Sequence, residues 1–123
     1  MMAVLPYGDR SVYAAMVLAI EEGVKQIVRT LKAYDLYGNT LVVFLSDNGG
    51  RLPRANNLPY RGHKGMLFEA GIRVPFFMTW PNGFNPGEID EPVISLDIFP
   101  TVCAATGTEV PENLKLDGKN LLP

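Results

Sequence analysis

Residues Thr40–Gly50 read TLVVFLSDNGG, an apolar run from Leu41 to Leu45 that stops abruptly at Ser46, Asp47, Asn48, Gly49 and Gly50. A run this short, with no polar alternation, suits a strand covered on both faces, as in a parallel sheet. Open α/β sheets bind ligands beyond the carboxyl ends of their strands, where this run leaves an acid and an amide. Both offer hard oxygen atoms, which suit Ca²⁺ or Mg²⁺ better than a soft metal. Asn48-Gly49 is also a strong hairpin signal, so spacing alone leaves turn and ligand site both open. The hairpin loses ground downstream, where RLPRANNLP has neither strand alternation nor a clean apolar run.

Upstream, apolar residues recur at three- and four-residue spacing from Val12 through Met16, Ile20, Val24, Ile27 and Leu31. That predicts a long amphipathic helix starting near Arg10, capped by Asp9 or Ser11, with Gly38 as its stop. Glu21, Glu22, Lys25, Arg29 and Lys32 fall mostly on the opposite, solvated face. Downstream, residues 47–63 show no periodicity. Unstructured loops longer than about 12 to 15 residues are uncommon in compact domains and are often functional. Gly65–Ala70 suits a short helix. Arg73–Trp80 reads as a second strand, with Pro75 placing it at an edge or starting it after Val74. Ser95 caps a last helix, 96–106, which Gly107 stops; Pro100 is tolerated only in its first turn. The order helix, strand, loop, strand, helix implies an α/β architecture with at least two parallel strands.

Composition bounds the function. The chain has 123 residues, sufficient for one small domain. A net charge of −2 gives no electrostatic case for nucleic acid or an anionic membrane as partner. A single cysteine, Cys103, excludes an internal disulfide and a cysteine-based metal cluster. Within CAATG it reads as an inert core residue. The opening MMAVLPYGDR lacks a basic region and its apolar stretch ends at Pro6, so it does not read as a signal peptide. Ten prolines and twelve glycines, clustered toward the second half, predict loops there.

Lys64 lies in GHKG, where flanking glycines permit close backbone approach to a ligand and the ammonium offers a point charge to an anion. A solvent lysine in a turn is the plainer alternative. His63, the sole histidine, cannot make a metal site alone and reads as a loop residue, secondarily as a substrate contact.

Four motifs in order, SDNGG (46–50), NNLPYRGHKG (56–65), FEAGIRVPFFMTWP (68–81) and PVISLDIFPT (92–101), resemble the sulfatases, arylsulfatases of the A and B type above all. The likeness runs from about Ser11 to the end, with YAAMVLAIEEGV and LDGKNLLP also similar. The resemblance implies an alkaline-phosphatase-like α/β fold and hydrolysis of sulfate esters. It makes Asp47 and Asn48 ligands of a divalent cation, Ca²⁺ rather than Mg²⁺, and Lys64 a contact to the substrate sulfate. Glu69, Gly71 and Arg73 match the family's EGGIR segment and are structural, with Ala70 where glycine is usual. Substrates implied are small sulfate esters or sulfated glycans, and the compartment of the parent is secreted, periplasmic or lysosomal.

The sulfatase nucleophile is a formylglycine made from a C-x-P/A-x-R motif, which this sequence lacks: Cys103 is followed by Gly107 where arginine belongs. The family's N-terminal acidic ligands are also missing. Residues 1–123 therefore read as a partial catalytic domain, without the half that carries the formylglycine and without the C-terminal subdomain. Such a chain is expected to be inactive alone and prone to self-association. A phosphonate or phosphate monoester hydrolase of the same superfamily would reuse Asp47, Asn48 and Lys64, and a non-catalytic remnant is the reading from outside the enzymes.

Overall fold

The computed structural model describes residues 9–123. The reading of the first ten residues falls largely outside them, as does any cap from the Asp9 side chain. Helix α1 spans Asp9–Ala33, strand β1 Val42–Leu45, helix α2 Glu69–Ile72, strand β2 Phe76–Thr79 and helix α3 Ile98–Thr106. Short 3-10 turns at Tyr37–Asn39 and Ser95–Asp97 precede β1 and α3.

The α1 periodicity yields the expected helix, and its polar face carries Lys25 bridged to Glu21 at 2.8 Å and Glu22 at 3.0 Å. Glutamate one turn before lysine is the favourable order for such a pair. The helix stops earlier than Gly38. Asp35 takes a left-handed φ of 56°, the Leu36 N–H donates to Leu31 O at 2.8 Å, and the Asp35 N–H donates to Lys32 O at 3.1 Å. That pair of bonds is a Schellman end, built on aspartate instead of glycine because a short polar side chain tolerates the left-handed region. Gly38 instead sits in the 3-10 turn, where a Cβ would come within 3.0 Å of the Asn82 side chain.

β1 and β2 pair antiparallel, Val42 opposite Thr79 and Leu45 opposite Phe76, which corrects the expected parallel pair. An apolar run records how much of a strand is covered, and carries no sign of its neighbour's direction. Here the intervening chain leaves and returns at the same end of β1, and the Ser46 N–H extends the ladder to Pro75 O at 3.2 Å. The only helix on that path, α2, is a single turn, too short for the crossover that a parallel pair needs. β2 starts after Pro75, as a missing N–H requires. β1 is half-buried throughout, not buried on both faces. Val42, Phe44, Phe77 and Thr79 share one face, with the Phe44 and Phe77 rings 6.3 Å apart and tilted by 38°.

That sheet face looks across an open groove of about 620 Å³ at Val17, Ile20, Val24 and Val28 of α1. The α1 backbone makes no close approach to either strand or to another α-helix. Its stripe is therefore largely in solvent, with Met16 at 61% and Ile20 at 54% exposure. No helix among the described residues is long and apolar enough to cross a membrane.

Burial concentrates in two places. Ala55, Ala70 and Gly71 close the loop region between the strands. Asp97, Thr101 and Cys103 form the second, at α3. The last helix does not use Ser95 as a side-chain cap. Asp97, 3% exposed, instead secures the 3-10 turn before the helix and the tail: one carboxylate oxygen accepts the Ile94 N–H at 2.9 Å and the other the Lys119 N–H at 2.8 Å. Those two donors, Ile94 first, hold its carboxyl below the ordinary 3.8. Thr101 Oγ1 donates to Asp97 O at 2.6 Å and accepts the Leu121 N–H at 3.0 Å. Pro100 falls in the first turn of α3, and Gly107 ends it with φ 66°, both as expected.

Candidate functional site

The site grows from the carboxyl end of β1. No tight hairpin forms at Asn48-Gly49. Ser46 Oγ folds the motif on itself by donating to Asn48 O at 2.8 Å. Asn48 Nδ2 donates to Asp47 Oδ2, so the acid and the amide meet side by side, Asp47 exposed and Asn48 half-buried. Beyond them Gly49 donates its N–H to Gly71 O at 3.0 Å. A Cβ on Gly49 would stand 1.8 Å from Ala70 O, and one on Gly71 would stand 1.9 Å from Met66 O. The segment spanning Gly49 and the turn of α2 thus cross backbone to backbone, which only glycine permits.

Lys64 enters the same knot. Its N–H donates to Gly50 O at 3.1 Å. That carbonyl also accepts from Asn57 Nδ2 at 2.9 Å, and the same amide group reaches Gly62 O at 3.2 Å. One asparagine side chain therefore ties the DNGG segment to the GHKG segment. Gly62 and Gly65 have φ of 97° and 90°, the conformations that let the chain reverse on either side of Lys64. The positive φ at Gly65 also explains why α2 begins only at Glu69, later than the expected Gly65. The Ala70 N–H donates to Arg61 O at 3.0 Å, joining α2 to the same loop.

The three predicted residues are brought together at the level of the backbone. The Lys64 side chain is exposed, and its ammonium has no ion-pair or hydrogen-bond partner among the described residues. His63 turns inward on its own loop, with Nδ1 2.7 Å from Lys64 O. Arg73 pairs with Glu69 at 3.3 Å and covers the Tyr60 ring at 5.0 Å, a clamp between α2 and the loop. Cys103 is a buried free thiol. Sequence reasoning assigned nothing to Asn57. Its neighbours Asn56 and Pro59 read only as loop, and nothing in the spacing marks which asparagine bridges two carbonyls.

Asp47 and Asn48 supply hard oxygen atoms on adjacent residues, a donor set that fits Ca²⁺ or Mg²⁺ in kind. It is a partial set: no group of three or more His, Cys, Asp or Glu side chains converges among the described residues.

The chain as a whole is similar to known proteins. The profile of the family described as Sulfatase matches residues 6–108. The uncharacterized sulfatase YdeN of Escherichia coli K12 is 37% identical over 113 residues, covering 90% of this chain and 20% of the relative. Steryl-sulfatase of Rattus norvegicus is 36% identical over 130 residues, covering 95% of this chain and 22% of that protein. The crystal structure of Ps i-CgsB in complex with k-i-k-neocarrahexaose superposes with a TM-score of 0.89 at 45% identity, covering 97% of this chain and 27% of that one. The chain belongs to the sulfatase family, and its helices and sheet are a portion of that family's alkaline-phosphatase-like fold. It spans roughly a fifth to a quarter of the length of these relatives.

Proposed function

We propose that this chain is the part of a sulfatase catalytic domain that supplies two ligands of a divalent cation and one contact to the substrate sulfate. The observation that supports the reading is the Gly50 carbonyl, which accepts from both Lys64 N–H and Asn57 Nδ2 and so ties the backbone of a glycine-bracketed lysine to the segment that follows the acid–amide pair. A bound Ca²⁺ would supply positive charge at the sulfate oxygens as the ester bond breaks. Asp47 and Asn48 would hold it through their side-chain oxygens. The Lys64 ammonium, unpaired among the described residues, is available to hold a sulfate oxygen and orient the ester. The nucleophile lies outside these residues, because the formylglycine motif is absent from this sequence. Hydrolysis of a sulfate ester is thus the activity of a longer protein to which these residues contribute.

The test is a pair of titrations on the full chain, followed by NMR of the backbone amides. Ca²⁺ is expected to shift the Asp47, Asn48 and Gly49 signals, with weak affinity because Ca²⁺ takes roughly six to eight oxygens. Inorganic sulfate is expected to shift Lys64 and Gly65. Loss of the first response in Asp47→Ala and of the second in Lys64→Ala supports the assignment. Responses that persist in both variants overturn it.

A further inference from the structure

The main chain of Lys64 is held at both of its polar groups. Its N–H donates to Gly50 O at 3.1 Å, and its own carbonyl oxygen lies 2.7 Å from Nδ1 of the His63 ring. A carbonyl oxygen only accepts, so Nδ1 carries the hydrogen of this bond and Nε2 is the nitrogen left over. His63 is itself anchored. Its carbonyl accepts the Met66 N–H at 3.0 Å, and a Cβ on Gly71 would stand 2.8 Å from that same oxygen. The ring, half-buried, thus reaches Lys64 from a main chain seated against the turn of α2. Gly62 and Gly65, with φ of 97° and 90°, bracket the two residues, and glycine restrains the backbone least of all. Without the ring, the bond to Gly50 alone would fix Lys64 between them. With both peptide groups tied, the direction of the Lys64 Cα–Cβ bond is set. The exposed ammonium then extends from a fixed base, and less freedom is lost when it meets an anion.

We propose that His63 is a positioning residue for Lys64: its Nδ1–H, bonded to the Lys64 carbonyl, fixes the base of the side chain that holds the substrate sulfate, and the ring itself does not touch the sulfate. This rests on the assignment of Lys64 to the sulfate. Because one ring atom makes the bond, positioning is separable from direct contact. The amide nitrogen of an asparagine can stand where Nδ1 stands, and that of a glutamine where Nε2 stands. Positioning requires rescue by asparagine, whereas a contact through Nε2 requires rescue by glutamine.

The experiment titrates inorganic sulfate into the full chain and follows the backbone amide signals of residues 64 and 65. Wild type, His63→Asn, His63→Gln, His63→Ala and Lys64→Ala are measured. The Gly49 amide, bonded to Gly71 O at 3.0 Å, reports in each variant that the loops remain folded. The carbon-13 signal of the Lys64 carbonyl reports the bond from the ring. His63→Ala and His63→Gln are expected to move that carbonyl signal and to weaken sulfate about fivefold, the effect of losing one hydrogen bond. His63→Asn is expected to keep the carbonyl signal and to bind sulfate within about twofold of wild type. Should His63→Ala lose the Gly49 signal, the asparagine and glutamine variants decide between them. Rescue by glutamine and not by asparagine makes His63 a direct contact and overturns the proposal. Wild-type affinity in folded His63→Ala overturns it too, as does a folded His63→Asn no tighter than His63→Gln. If Lys64→Ala abolishes the sulfate response and the His63 variants leave it unchanged, the sulfate assignment stands and the role of His63 alone falls. If Lys64→Ala leaves the response intact, the sulfate assignment fails and this inference falls with it.

Discussion

Gly49 and Ala70 are in backbone contact: a Cβ on Gly49 would lie 1.8 Å from the Ala70 carbonyl oxygen. The SDNGG motif and the turn of α2 are thereby one unit, and neither can shift without the other. Gly49→Ala is expected to destabilise the chain by about 1–3 kcal/mol or to unseat the 46–73 region altogether. Gly87→Ala, where a Cβ would meet nothing within 4 Å, is the neutral comparison. Urea unfolding followed by Trp80 fluorescence separates the two, and equal midpoints would contradict the close approach.

Asn57 is the second element of that unit. Asn57→Ala removes two hydrogen bonds, to Gly50 O and Gly62 O, and leaves a half-buried carbonyl with one donor fewer. We expect a loss of about 1–2 kcal/mol, in the range for such bonds. Amide exchange at Lys64 should quicken in the same variant, since its acceptor Gly50 is no longer fixed. Unchanged exchange at Lys64 would mean that the lysine is positioned by something other than this knot.

Asp97 gives a prediction in pH. Its carboxyl is held below its ordinary value by the N–H groups of Ile94 and Lys119, so the folded state favours the charged form. That contribution is complete at neutral pH. It begins to fade as pH falls past the ordinary 3.8 and is lost as pH drops through the lower folded value. The Lys119 amide, and Leu121 behind it on Thr101, should lose exchange protection in that window. Asp97→Ala should show the loss already at pH 7, at a cost of about 1–3 kcal/mol for the orphaned donors. Protection that persists in Asp97→Ala would show that the tail is held by other contacts.

Activity supplies a fourth test. The chain alone, with Ca²⁺, is expected to release no aryl alcohol from an aryl sulfate, because the formylglycine motif is absent from this sequence and the two proposed cation ligands are few. Turnover that disappears in Asp47→Ala would require a nucleophile within these residues and would overturn the proposed division of labour.

The open groove beneath α1 predicts association. Phe77 is 65% exposed and Ile20 54%, and both line the same apolar cleft. Sedimentation of the chain should show dimers or larger species at micromolar concentration, reduced by Ile20→Glu. A monodisperse monomer would mean that the groove closes in solution.

The motifs were more legible than the geometry around them. SDNGG, GHKG and the apolar run point to a candidate site at a strand end, and the structure joins the backbones of those two motifs. Strand direction was not legible, because covering a strand and pairing it in one sense are independent properties. The helix stop moved from Gly38 to Asp35 because the choice among residues able to adopt positive φ is made by the packing that follows, here the 3-10 turn into β1. Asp97 escaped notice for a related reason: beside its local partner Ile94 it holds Lys119, 22 residues on, so its hold on the tail exists only once the tail returns to α3.

The separation of α1 from the rest bears on how the chain answers to heat. A helix of 25 residues with little covering its apolar stripe rests on its own hydrogen bonds, its lysine–glutamate pairs and its end at Asp35. Such a helix frays from its ends over a broad temperature range. The glycine-crossed loops and the α3 latch are interlocked by long-range backbone bonds and open as units. Far-UV ellipticity and Trp80 fluorescence would then trace different curves, and the chain would have no single melting temperature.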